Sequence, residues 1–195
     1  MSKGTTIGVL AAQGAFAEHI AALEKLDTKA VPVRLPGELK GLDGLIIPGG
    51  ESTTISLLMS NYNLFSEISG LAGQGLPLFG TCAGMIMMAK HVLGNHSATL
   101  GLMDVTVSRN TFGRQVDSFE TDLTVPVLGK EPFPAVFIRA PLIEKCGQSV
   151  EVLARLDDGR IVAAREGKML AAAFHPELTG DLRFHRYFLD IIKGK

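Results

Sequence analysis

Leu76-Pro77-Leu78-Phe79-Gly80-Thr81-Cys82-Ala83-Gly84-Met85-Ile86-Met87-Met88 is the stretch whose reading decides the fold. Residues 76–79 form a short apolar run that reads as a buried strand, and residues 85 to about 92 read as an apolar helix. Between them stands a cysteine with glycine at −2 and +2, the pattern of a sharp strand-to-helix elbow that exposes one side chain. A strand feeding directly into a helix is the repeating unit of a parallel sheet covered by helices. Upstream the same rhythm recurs. Strands are expected at 6–11, 30–35 and 44–47, the last two closed by Pro36-Gly37 and Pro48-Gly49-Gly50. Helices are expected at 14–26, where Phe16, Ile20, Leu23 and Leu26 repeat at helical spacing, and at 52–58 and 64–71.

Downstream the pattern changes. Residues 104–108, 119–125, 135–138 and 150–156 are strand-like, and Asp157-Asp158-Gly159-Arg160 reads as a hairpin turn before 161–164. A strand at 169–174 leads into His175-Pro176-Glu177, and an amphipathic helix closes the chain at 181–192. The expectation is an α/β protein with a mostly parallel sheet flanked by helices. An antiparallel excursion is expected between about Leu102 and Arg165, all within one domain over 1–195.

Composition narrows the function. The chain has 195 residues, 46% hydrophobic and 20% charged, an ordinary globular balance. Its 19 Lys and Arg against 20 Asp and Glu give a net charge of −1, without the basic footprint of a nucleic-acid binder. Two cysteines, Cys82 and Cys146, form no disulfide framework and no paired metal spacing, so no metal is expected. No apolar run approaches the roughly 20 residues of a membrane span, and the first residues carry no signal-peptide pattern, so a cytoplasmic protein is expected.

Three strand ends carry the candidate chemistry. At the elbow, the helix N-terminus points free N–H groups and partial positive charge at the Cys82 sulfur, which favours a thiolate nucleophile. Pro176 holds His175 extended, so Glu177, two residues on, projects to the same side and can orient the imidazole. The corner Pro48-Gly49-Gly50 leaves backbone N–H groups uncovered before a helix that Ser52 or Thr53 can cap. Donors at Gly49 and Gly50, with Ala83 next to the nucleophile, suit an oxyanion hole. A phosphate loop is the rival reading of that corner, but the Gly-Lys-Ser/Thr ending of a P-loop is missing.

Gly80-Thr81-Cys82-Ala83-Gly84 with a distant His175-Pro176-Glu177 resembles the class I, triad-type glutamine amidotransferases. The likeness is narrower still in Gln13-Gly14, Gly49-Gly50-Glu51-Ser52-Thr53-Thr54, Arg109-Asn110-Thr111-Phe112-Gly113-Arg114-Gln115 and Phe137-Ile138-Arg139-Ala140-Pro141. These blocks are similar to the PdxT-type glutaminase subunits of pyridoxal 5′-phosphate synthase and span most of the chain. The resemblance implies a flavodoxin-like amidotransferase fold and hydrolysis of glutamine to glutamate and ammonia. Cys82 is then the nucleophile, His175 the acid and base, and Glu177 its orienting partner. It implies that Gly50, Glu51, Ser52, Arg109, Ile138 and Arg139 bind glutamine, with arginine gripping the carboxylate and Glu51 attracting the ammonium. No cofactor is implied. The implied partner is a PdxS-type pyridoxal 5′-phosphate synthase subunit, joined in a hetero-oligomer that receives the ammonia. A glutaminase serving another synthase and a non-catalytic scaffold are the alternatives. Met85-Ile86-Met87-Met88 is expected on the buried helix face, His19, His91, His96 and His185 at the surface or at caps, and Cys146 in a loop.

Overall fold

The computed structural model describes residues 4–94, 97–109 and 118–195. In chain order the elements are β1 (Thr6–Leu10), α1 (Phe16–Glu24), β2 (Lys29–Val33), β3 (Gly44–Ile47), α2 (Ser52–Asn61), α3 (Leu64–Gly73), β4 (Leu78–Thr81), α4 (Ala83–Met88), β5 (Ala89–Val92), β6 (Met103–Ser108), β7 (Ser118–Leu123), β8 (Phe133–Ile138), β9 (Leu142–Cys146), β10 (Glu151–Arg155), β11 (Ile161–Glu166), β12 (Met169–Ala172) and α5 (Arg183–Ile192). The main sheet runs β2-β1-β3-β4-β12-β11-β9-β6-β5, with β10 paired to β11. From β2 to β12 every pairing is parallel. From β12 through β6 the pairings turn antiparallel, and β7 and β8 form a separate antiparallel pair. The α/β architecture and the antiparallel excursion are those the sequence leads one to expect.

The central strands are apolar on both faces because helices cover both. Leu45, Ile46 and Ile47 of β3 are all fully buried, which explains why they read as a continuous apolar run and not as an alternation. Helix α5 seats Phe184 and Phe188 against Phe79 of β4, with ring centroids 6.4 and 5.6 Å away. Phe133 and Phe174 complete this aromatic cluster around Phe184. Each such ring contributes roughly 1.5–3 kcal/mol by leaving water. Among the described residues no helix is long and apolar enough to cross a membrane.

Two local expectations are corrected. The helix after the elbow stops at Met88, and residues 89–92 form β5, pairing Ala89 with Met103 and Val92 with Val107 of β6. Helix α4 is buried all round, not on one face only, so exposed Lys90 and His91 cannot continue it; pairing at the sheet edge outweighs local helix preference. Cys146 is not in a loop but ends β9, a strand masked in the sequence by the charged pair Glu144-Lys145. It is half-buried there, and burial pushes its thiol pKa up.

Candidate active site

Strand β4 ends at Thr81, and Cys82 turns the chain into α4 with φ 49° and ψ −109°. A non-glycine residue in this region is strained by about 1–3 kcal/mol and persists only where its surroundings fix it. Here they do: the Cys82 N–H donates to the Ala172 carbonyl of β12 at 2.8 Å. The flanking glycines are steric necessities. A Cβ on Gly80 would lie 2.6 Å from the Gly84 carbonyl oxygen, and one on Gly84 would overlap the Ile47 carbonyl oxygen of β3. Backbone cannot yield as a flexible side chain can. Gly84→Ala is therefore expected to cost about 3 kcal/mol, lowering the melting temperature by roughly 10 °C. Gly70→Ala, on an open face of α3, should leave it nearly unchanged or slightly raised. Comparing thermal melts of the two variants checks the close approach of the elbow to β3.

Beyond β12 the chain reaches His175, whose N–H donates to the Val136 carbonyl of β8 at 2.8 Å. Pro176 opens a short 3₁₀ turn over Pro176–Leu178. The turn brings Glu177 back beside the histidine, with Nδ1 of His175 and Oε1 of Glu177 2.7 Å apart. Glu177 and His175 are both 7% exposed. Burial opposes charge on His175, but hydrogen bonds to Cys82 and Glu177 outweigh it and raise its pKa from 6.5 to about 10. The ring stands next to the elbow cysteine at the cavity and is bonded to a buried carboxylate, the arrangement needed to hold a proton beside a nucleophile.

A cavity of about 280 Å³ opens in front of Cys82. Its lining includes Gly50, Glu51, Ser52, Arg109, Ile138 and Arg139, the six positions expected to bind substrate, together with Ala83 and His175. Glu51, not Ser52 or Thr53, caps α2. Its carboxylate accepts the Thr53 and Thr54 N–H groups at 3.1 and 2.8 Å and both threonine hydroxyls. Led by the Thr53 hydroxyl bond, these hold its pKa down at about 2. Nη2 of Arg109 lies 3.4 Å from Oε1 of Glu51, so opposite charges stand side by side at the cavity wall. Arg139 has φ 42° at the end of β8, and the Cys82 sulfur lies 3.9 Å from the Ile138 carbonyl oxygen. The rest of the Arg109 block, residues 110–115, lies outside the described residues, as does His96.

One expected oxyanion donor is placed otherwise. The Gly49 N–H donates to the Thr81 hydroxyl at 3.2 Å, because the end of β3 still runs alongside β4. Gly49 must nonetheless be glycine, since a Cβ there would overlap the His175 ring and come within 3.1 Å of the Cys82 Cβ. Its carbonyl accepts the Ala15 N–H at 3.2 Å, which in a trans peptide turns the Gly50 N–H the opposite way. Gly50 and Ala83 both face the cavity with Cys82.

Sequence reasoning missed three residues. Gln13 lines the cavity, and its Oε1 accepts the Glu51 N–H at 2.7 Å; its place directly after a central strand was the available signal. His19 and His185 are fully buried, not at the surface or at caps. His19 falls at i+3 from Phe16 and i−4 from Leu23, and His185 sits at i−3 from Phe188, so both occupy the apolar stripes of α1 and α5. Among the described residues no group of three or more His, Cys, Asp or Glu could hold a metal ion.

A sharp cysteine elbow beside a His–Glu pair, at the carboxyl ends of parallel strands, is an arrangement suited to acyl transfer in an α/β protein. Residues 9–193 match the SNO glutamine amidotransferase family, and the chain belongs to it. The pyridoxal 5′-phosphate synthase subunit PdxT of Herpetosiphon aurantiacus is 59% identical over 189 residues, 95% of this chain and 100% of its own. The PdxT subunit of Moorella thermoacetica is 58% identical, over 95% and 98% of the two chains. A crystal structure of a glutamine amidotransferase superposes with a TM-score of 0.92 at 51% identity, covering 96% of this chain and 98% of the other.

Proposed function

We propose that this chain is the glutaminase subunit of a pyridoxal 5′-phosphate synthase and works through Cys82, His175 and Glu177. The observation that carries the reading is the His175 ring, standing beside the elbow cysteine at the cavity and bonded through Nδ1 to a buried carboxylate. Full-length similarity to PdxT subunits supports the substrate and the assembly.

Glutamine enters with its amino-acid head between Glu51 and the arginines and its side-chain amide toward the sulfur. Arg109 and Arg139 supply the charge for the α-carboxylate, and the ionised Glu51 that for the ammonium. The Cys82 thiolate attacks the amide carbon, and Gly50 and Ala83 N–H groups receive the developing oxyanion. His175 gives its proton to the departing amine, so ammonia leaves and a γ-glutamyl thioester remains. Neutral His175 then takes a proton from water, hydroxide attacks the thioester, and glutamate leaves as the thiolate and imidazolium are restored. Ammonia in water at neutral pH becomes ammonium, which is not nucleophilic, so it is passed directly to a PdxS-type synthase subunit in a cytoplasmic hetero-oligomer. The 195 residues serve as one glutaminase domain without a cofactor.

The Gly49-Gly50 corner is the point at which such a partner controls the reaction. Glycine permits a peptide to rotate at little steric cost, and one misaligned oxyanion donor lowers the rate by about 10²–10³. Steady-state ammonia release at saturating glutamine should therefore be weak for the isolated chain and rise about 100-fold in kcat with the synthase. An isolated chain at full kcat refutes this control. Absence of glutamine-dependent ammonia release with the synthase present refutes the function.

A further inference from the structure

Behind the His175–Glu177 pair lies a second polar layer, sealed from solvent and outside the cavity lining. His19 of α1 places Nε2 3.1 Å from the Thr81 hydroxyl and 3.3 Å from Oε2 of Glu177. Its Nδ1 lies 2.9 Å from Nε2 of His185 on α5. Two buried atoms in this layer have no hydrogen-bond partner: Oε2 of Glu177 and Nδ1 of His185. Burial first, then the proximity of His185 and His175, hold the His19 pKa well below 6.5; burial also brings His185 down to about 4. Both rings are therefore neutral at neutral pH, and each carries a single N–H.

The two bare atoms decide where those protons sit. With the proton on Nδ1 of His19, Nε2 of His185 becomes an acceptor, and His185 must bury an unpaired N–H at Nδ1. Oε2 of Glu177 then faces a lone pair. With the proton on Nε2 of His19, His185 donates from Nε2 and keeps only a bare lone pair at Nδ1, while Oε2 faces an N–H. An unsatisfied buried donor and a carboxylate against a lone pair both cost free energy, so the second arrangement wins.

We propose that His19, its tautomer fixed by His185, is a positioning residue whose Nε2–H, hydrogen-bonded to the Thr81 hydroxyl, sets its positive end 3.3 Å from Oε2 of Glu177 and steadies that carboxylate electrostatically so that Oε1 holds the His175 imidazolium. The proposal rests on the triad reading and adds a fourth buried member to it. His19 acts through Glu177 and touches no substrate. The groups facing it are Thr81 and the Phe79 ring on β4, His185 on α5, and Glu177 in the turn after β12, with His175 beyond.

In complex with the synthase, His19→Phe should lower kcat about tenfold, the effect of removing a polar N–H held close to a buried charge, with KM for glutamine unchanged. Its alkaline limb of kcat should move to lower pH, because a less firmly held Glu177 supports the imidazolium less. His19→Gln, which returns an amide N–H, should recover part of the rate. A melting temperature that falls while kcat and the pH profile stay unchanged overturns the proposal. Glu177→Gln in the same assay separates the two levels: wild-type kcat there defeats the triad itself, whereas impairment there beside a normal His19→Phe defeats only the role of His19. Should His19→Phe fail to fold, ¹⁵N chemical shifts of the histidine rings in the wild-type chain read the tautomer directly. A proton on Nε2 of His19 is expected, and one on Nδ1 contradicts the proposal.

Discussion

Cys82→Ala should abolish glutamine hydrolysis, a loss expected to be roughly 10⁴-fold or more, because Cys82 is the one thiol among the described residues that line the cavity. The fold should survive. Alanine removes one sulfur atom from a position held by backbone: the elbow is fixed by the Cys82 N–H bond to Ala172 and by the approach of Gly84 to β3. Cys82→Ser keeps a nucleophile of the same shape but one that loses its proton far less readily, and it should be nearly as inactive. Ammonia release, thermal melting and co-elution with the synthase check the three parts of this expectation. Turnover near the wild-type rate in Cys82→Ala removes the nucleophile from the account.

His175→Asn should lower kcat by about 10²–10⁴, since among the described residues lining the cavity His175 is the one placed to give a proton to the departing amine. Glu177→Gln should cost less, because it retains the geometry and loses only the charge. The pH profile carries the sign. Hydrogen bonds to Cys82 and Glu177 raise His175 to about 10 against the opposing effect of burial, so the imidazolium persists through neutral pH. Removing the Glu177 charge lowers that value, and the alkaline limb of kcat moves down in pH. For stability, a raised pKa contributes fully below the unfolded value of about 6.5 and is lost as pH rises through about 10. Glu177→Gln should therefore lose more stability near pH 6 than near pH 10. A Glu177→Gln variant more damaged in kcat than His175→Asn reverses the two roles.

The parallel half of the fold is legible because its strands and helices obey local rules. Gly44–Ile47 is continuously apolar and ends at a Gly-Gly corner, and its bounds in the structure are those read from the sequence. The elbow is legible for a similar reason: Gly80 and Gly84 report a close approach of backbone that no other residue permits. Strand β5 was hidden because its pairing with β6 is a tertiary contact with no local signature. The buried histidines were hidden because a polar side chain in an apolar stripe looks like a break in the pattern until its partner appears. That partner is 166 positions away for His19 and His185. Thr81 likewise reads as part of the elbow strand, yet its hydroxyl receives the Gly49 N–H and meets His19. Glu51 reads as a substrate contact, yet its carboxylate also caps α2.

The identity of the nucleophile can be read directly by incubating the chain and its synthase with an electrophilic glutamine analogue and mapping the adduct by peptide mass spectrometry. The chain offers two thiols. Cys82 stands at the cavity beside His175, whereas Cys146 lies at the end of β9 with its pKa raised by burial. Covalent modification of Cys82 alone, suppressed by excess glutamine and absent in Cys82→Ala, is the predicted result. Inactivation accompanied by an adduct on Cys146, with Cys82 unmodified, contradicts it.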